Sequence, residues 1–297
     1  MKKIAFEKWE NCIEMESGNF RIVITTDVGP RVIGGFAGNN PYNIFRVDPA
    51  LAGTSGADHW VNYGGHRLWV SPERALRTPE KDNSPIEYEA RSGGVVFHSR
   101  RNEFSGMEKS IFIAPGPDNT FRVEHTVTNR NLWPIECAPW AISVMAPGGV
   151  CIAPQNKDKK ALLPSTFYSF WPYTELSDPR FVYGRDFLLV KQDETCSGPC
   201  KIGFNCKNGW IAYAGGGTLF VKEFEVIPGV RYPDNGCTVE VYSCASMLEV
   251  ETLAPLRLLQ PDESAVHVEV WKVRDGIGKV ENEKDAAKVL PRPVLPE

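Results

Sequence analysis

Short runs rich in Val, Ile, Phe, Tyr and Thr recur along the chain between turn residues. They are Phe20–Thr26, Gly94–Ser99, Ser110–Ala114, Phe121–Thr128, Trp210–Ala214, Thr218–Phe224, Thr238–Ser243 and Ala265–Val273. In Phe121–Thr128 and Ala265–Val273 apolar and polar residues largely alternate, the period of a half-buried strand. Gly215-Gly-Gly217 lies between two of these runs and predicts a hairpin turn. With 23 prolines and 26 glycines spread along the chain, few windows can hold a helix. The exception is Glu281–Leu290, just before Pro291, Pro293 and Pro296. The pattern predicts one all-β domain, a sandwich or barrel, over residues 1–275, with a short helical C-terminal tail over 276–297.

Ser246–Pro255 reads as one more strand and carries the sharpest chemical signal. Leu248, Val250 and Thr252 take one face, and Met247, Glu249, Glu251 and Leu253 the other. Glu249 and Glu251 therefore stand roughly 6.5–7 Å apart at the backbone on one side of a sheet. Two carboxylates on a covered face repel and desolvate badly, so either the face meets solvent or something binds there.

The histidines sort by the same phase. His125 falls in step with Phe121, Val123 and Val127, which predicts a core histidine, and His98 follows Val96 in the same way. His267 shares a face with Glu269 and Trp271, expected to be a solvated or rim face. His66 lies between Gly64-Gly65 and Arg67 in an aromatic segment and is the histidine that suits a site.

Four segments between strands collect ring-bearing and charged side chains: 58–73, 131–149, 170–180 and 232–236. Of eight tryptophans, five (Trp60, Trp69, Trp133, Trp140 and Trp171) fall in or beside them. Flat amphipathic rings near carboxylates and guanidinium groups suit a sugar, whose C–H faces stack and whose hydroxyls need paired donors and acceptors. The bland reading is that the rings plug the ends of a large sandwich.

Composition narrows the partners. The net charge is −4 with acids and bases interspersed, so no nucleic-acid or anionic-membrane surface is expected. No secretory pattern and no apolar run long enough to span a bilayer is seen, and a cytoplasmic location is expected. The eight cysteines are then expected to remain thiols. Cys196, Cys200 and Cys206 cluster without a standard zinc spacing, and no metal or cofactor is expected.

Four segments together resemble the galactose mutarotase-like superfamily, the β-supersandwich that includes aldose 1-epimerases. They are Asp27-Val-Gly-Pro-Arg31, Tyr63-Gly-Gly-His-Arg-Leu-Trp-Val-Ser-Pro-Glu73, Thr128-Asn-Arg-Asn-Leu-Trp-Pro134 and Met247-Leu-Glu-Val-Glu-Thr-Leu253. The chain is more similar to a bacterial branch of that superfamily than to the mutarotases themselves. The resemblance implies that Glu251, in Glu251-Thr252-Leu253, takes a proton from an anomeric hydroxyl, with Glu249, two residues away on the same face, as the alternative. His66 resembles the substrate-contacting histidine of the family and is the candidate acid. The family's catalytic histidine should follow an asparagine like Asn129 by about a dozen residues. The corresponding stretch, Cys137-Ala-Pro-Trp-Ala-Ile-Ser143, has none, and an indole cannot protonate a ring oxygen.

The leading expectation is an aldose epimerase-like enzyme doing acid–base chemistry on a sugar or sugar acid, as a monomer or homodimer, with Glu251 and His66 catalytic. Arg31, Arg67, Trp69, Glu73, Trp140, Trp171, Tyr173, Arg180, Asp234 and Glu249 are the expected substrate contacts. A carbohydrate-binding protein without chemistry is the alternative. A polysaccharide lyase or glycoside hydrolase would need two carboxylates flanking one bond, and Glu249 and Glu251 project in parallel.

Overall fold

A computed structural model describes residues 1–75, 77–157 and 162–290. Its strands form two large antiparallel sheets, one of 11 strands and one of 10. The first runs, edge to edge, through Lys2–Phe6, Trp9–Ser17, Phe20–Thr25, Arg31–Ala37, Gly65–Ser71, Ile135–Met145, Met247–Leu253, Val239–Cys244, Cys200–Phe204 and Tyr168–Phe170, with Arg257–Leu259 added beside Ile135–Met145. The second includes Trp210–Gly215, Thr218–Phe224, Ser264–Arg274, Thr120–Asn129 and Met107–Pro115 at its middle. Gly215 pairs with Thr218 around Gly216 and Gly217, both at positive φ, as the glycine run predicts.

Between the sheets lies one apolar layer. Phe20, Phe45, Phe121, Phe220 and Trp271 meet there edge to face. These side chains come from the inward phase of the alternating strands, so burial follows the pattern that predicted them.

Two central strands departed from that pattern. Gly65–Ser71 and Ile135–Met145 lie inside segments that read as long loops, yet they occupy the middle of the first sheet. Every residue of the first is buried, and all of the second beyond Glu136. A strand covered on both faces has no reason to alternate.

The C-terminal helix spans Glu283–Val289, inside the predicted Glu281–Leu290. Asn282 caps it, its side chain accepting from the backbone N–H groups of Lys284 and Asp285. Val280, Ala286, Val289 and Leu290 pack against Val150, Phe187, Trp210 and neighbouring residues of the second sheet. The helix thus covers the outer face of that sheet. The three prolines beyond it lie outside the described residues. No helix among the described residues is long and apolar enough to cross a membrane.

Candidate functional site

The outer face of the first sheet, around Met247–Leu253, is where the chemistry collects. Register defines it as a small lattice. Trp69, Trp140 and Leu253 form one row across three strands. Arg67, Ile142, Glu251, Glu240 and Gly203 form the next, and Val144, Glu249, Tyr242 and Lys201 the third. Glu249 and Glu251 do share a face, but they point into a covered patch, at 8% and 0% exposure.

Each charge there has a stated neighbour. Glu251 accepts from Trp140 Nε1 at 2.8 Å and from Lys201 Nζ at 3.0 Å, both on Oε2. Its Oε1 has no hydrogen-bond partner among the described residues. Lys201 Nζ also lies 2.7 Å from Glu240 Oε2, so the one ammonium is shared between two carboxyls. The ammonium sits 4.5 Å from the ring centres of both Trp140 and Trp171, a favourable cation–π arrangement. Burial pushes the carboxyls of Glu240 and Glu251 up from the ordinary range, with Lys201 opposing the rise in both. Burial works against the charge on Lys201, but the two carboxylates outweigh it and hold its pKa above the usual value.

The neighbouring pair is built differently. Arg67 Nη2 donates to Glu249 Oε1 at 3.0 Å, and the guanidinium lies 4.5 Å from the Trp69 ring and 5.6 Å from Trp60. Its Nε and Nη1 have no partner among the described residues. Trp60, Trp69 and Trp140 pack edge to face in series. Tyr173, 46% exposed, borders the patch, feeling the charges of Lys201, Glu251, Glu73 and Glu249, and its phenol is pushed up to about 12, mainly by burial. Glu73 itself is exposed.

Other expected contacts lie elsewhere or serve the scaffold. Arg31 is fully buried and donates to the Gly64 carbonyl and the Asp82 carboxylate, stacked on Tyr63. Arg180 closes its own loop, bonding Asp178, the carbonyls of Gly198 and Ser243, and Cys196 Sγ. Asp234 sits in a turn at positive φ, where its carbonyl accepts from Ser169 Oγ, and its charge is felt at Glu240.

His66 is on the other side of the sheet. Arg67 and Trp69 take the outer phase of Gly65–Ser71, so His66 points between the sheets and is fully buried. Its Nδ1 is 2.8 Å from Ser143 Oγ, and its Nε2 is 2.7 Å from His125 Nε2. The first sheet itself separates it from the Glu251 carboxyl.

The inner network around it is complete. His125 Nδ1 donates to the His267 carbonyl at 3.1 Å, so its Nε2 accepts from His66, and His66 Nδ1 accepts from Ser143. Thr252 Oγ1 donates to Glu269 and accepts from His267 Nε2. Lys222 Nζ reaches Glu269 Oε1 at 2.9 Å and the carbonyls of Ala141 and Val250, while Trp271 Nε1 donates to Glu269 Oε2 at 2.7 Å. The sequence-based expectation of a rim face for His267, Glu269 and Trp271 is therefore corrected: all three lie between the sheets. His98, expected in the core, is instead half-buried near Glu89. His66, His125 and Glu269 offer ligand atoms within 4.8 Å of one another, but those atoms are already engaged with the partners just named.

Lys201 and Glu240 were not singled out from sequence. Each lies in an otherwise apolar alternation, Cys200-Lys-Ile and Val239-Glu-Val. A charge breaking such a run was the available signal; the register that brings both to Glu251 was not.

The sequence matches no family model and no curated relative. The structure matches several solved ones. A TPR-domain containing protein from Parabacteroides distasonis aligns with TM-score 0.63 at 13% identity over 96% of this chain and 49% of that one, so this chain spans about half of its length. A galactose mutarotase-like protein from Lactobacillus casei aligns at TM-score 0.55 and 10% identity, over 89% of this chain and 100% of that one. A candidate aldose 1-epimerase from Escherichia coli K12 aligns at TM-score 0.53 and 12% identity, over 89% and 99%. The fold is the galactose mutarotase-like β-supersandwich.

Proposed function

We propose that this protein acts on a sugar by acid–base chemistry of the aldose epimerase type, on the outer face of the first sheet, with Glu251 as the base. The observation that carries the reading is Glu251 itself. It is a buried carboxylate with one oxygen fixed by an indole and an ammonium and the other without a partner among the described residues, beside Trp60, Trp69 and Trp140. A burial-raised carboxyl of this kind exchanges protons nearer neutrality than a solvated one. Arg67, whose Nε and Nη1 have no partner among the described residues, is placed to bind hydroxyls or a carboxylate. Trp171 and Tyr173 cover Lys201 and the patch, so a sugar enters by displacing this segment.

Freshly dissolved galactose, glucose and other aldoses, followed by polarimetry, test the reading. The protein should speed the loss of optical rotation, and Glu251→Gln should abolish the acceleration. A panel of aldoses with no acceleration would overturn it.

The second reading, sugar binding without chemistry, is favoured by the full burial of Glu251 and by the absence of histidine in Cys137–Ser143. Sugar binding by calorimetry that persists in Glu251→Gln, with no turnover in either protein, would select it.

A further inference from the structure

The outer patch holds more negative charge than it can neutralise. Glu240 and Glu251 are opposite each other on paired strands, both fully buried, and both reach the single ammonium of Lys201. Burying two carboxylates against one cation leaves one uncompensated charge, and such a group takes up a proton instead. The two sites are unequal. Glu251 receives hydrogen bonds from Trp140 and Lys201, which favour its ionised form. Glu240 has the same ammonium, 2.7 Å from its Oε2, but no second donor like the Trp140 indole among the described residues. The other groups facing it add no compensation. Glu249 and Glu251 come from one neighbouring strand, and Tyr242 follows on its own strand. Asp234 and the thiol of Cys237 come from the turn before it, and Lys201 from the far side.

We infer that Glu240 is the protonated member of this pair and supplies the acid that the chain's sequence lacks, handing its proton to the sugar ring oxygen while Glu251 takes the anomeric one. This rests on the functional reading above. In the forward step the anomeric O–H proton passes to Glu251, the C1–O5 bond breaks as the carbonyl forms, and O5 takes the proton from Glu240. After rotation about C1–C2, the O5 hydroxyl returns its proton to Glu240 as it attacks the other face. Glu251 returns its own proton to the new anomeric oxygen, and both groups end as they began. Two carboxyls whose surroundings drive their proton affinities apart provide acid and base at one pH.

Infrared spectroscopy and kinetics on the intact protein separate this inference from the reading it rests on. At neutral pH the carbonyl stretch of a buried protonated carboxyl should be present, lost in Glu240→Gln and kept in Glu249→Gln. Glu240→Gln should lower kcat on the order of 100-fold or more, with KM little changed, and remove the alkaline limb of the pH–rate profile. Glu240→Asp should keep that limb and restore part of the rate, and it carries the test if the amide variant does not fold. A protonated-carboxyl band that persists in Glu240→Gln overturns the inference, as does full activity with an unchanged alkaline limb. If the wild type turns over no aldose, the functional reading fails and the donor role with it, while the band still decides which carboxyl holds the proton.

Discussion

Gly203 stands directly across from Glu240 on the paired strand, and its missing side chain is what gives that carboxyl room. A Cβ at this position would lie 2.7 Å from Cys237 Sγ and 3.1 Å from Glu240 Cγ. Gly203→Ala should therefore cost about 1–3 kcal/mol by overpacking, read as a lower urea midpoint with an unchanged m-value. Adding Cys237→Ala should recover part of the loss. An unaltered midpoint in the single variant would show that the strand pair yields freely.

Lys201 is held by two carboxylates and two indoles, and its removal should be felt in a pH-dependent way. Lys201→Met keeps the stem and deletes the charge. Breaking a buried ion pair costs about 3–5 kcal/mol. With Glu240 already protonated, Glu251 is the carboxylate left unpaired and can itself escape by protonation, so the loss should be larger at alkaline than at acid pH. Urea melts of both proteins across pH would show the two curves diverging upward in pH. Parallel curves would mean that the ammonium does not compensate these carboxyls.

The inner histidines set the opposite trend. Burial holds His66, His125 and His267 below their ordinary value, His267 at about 3 against 6.5. The unfolded chain therefore binds more protons below pH 6.5, and folding stability falls as pH drops toward 3. Burial alone would raise Glu269, but the Lys222 ammonium, with a hydrogen bond from Thr252, brings it down to about 2 from 4.5, so its contribution is present above 4.5 and lost on acidification. Glu240 and Glu251, raised by burial, have the reverse sign and partly offset this. The urea midpoint should decline from about pH 7 to about pH 4, less steeply in His267→Gln, whose amide can still donate to Thr252. A flat wild-type profile would refute the assignment of neutral imidazoles.

At the far end of the chain, Asn282 caps the helix that covers the second sheet. Asn282→Ala should cost about 1 kcal/mol and raise hydrogen exchange at Lys284 and Asp285 before it affects the sandwich. Unchanged exchange at those amides would show that the helix is held by packing alone.

Legibility in the sequence followed physical asymmetry. Strands with one wet face announced themselves by alternation, and Glu249 with Glu251 fell on a shared face because period 2 requires it. Gly65–Ser71 and Ile135–Met145, covered on both sides, looked like aromatic loops. That same lack of phase hid which way His66 points, since one residue of register separates the outer Arg67 from the inner His66. Lys201 and Glu240 come from strands distant in sequence, and only sheet order brings them to Glu251. Arg31 and Arg180 carry the residue type of a ligand contact, but buried carboxylates and carbonyls of the scaffold engage them.

The relay from Ser143 through His66 and His125 to the His267 carbonyl crosses from one sheet to the other with every donor direction fixed. An apolar layer alone tolerates sliding, because one methyl serves nearly as well as the next. A directional chain of this kind does not. Shifting either sheet by a single strand step would leave an imidazole nitrogen and a hydroxyl facing hydrocarbon. The interior histidines thus work as a key between the two layers, selecting one relative placement and so fixing where the strands that carry Glu251, Glu240 and Lys201 stand.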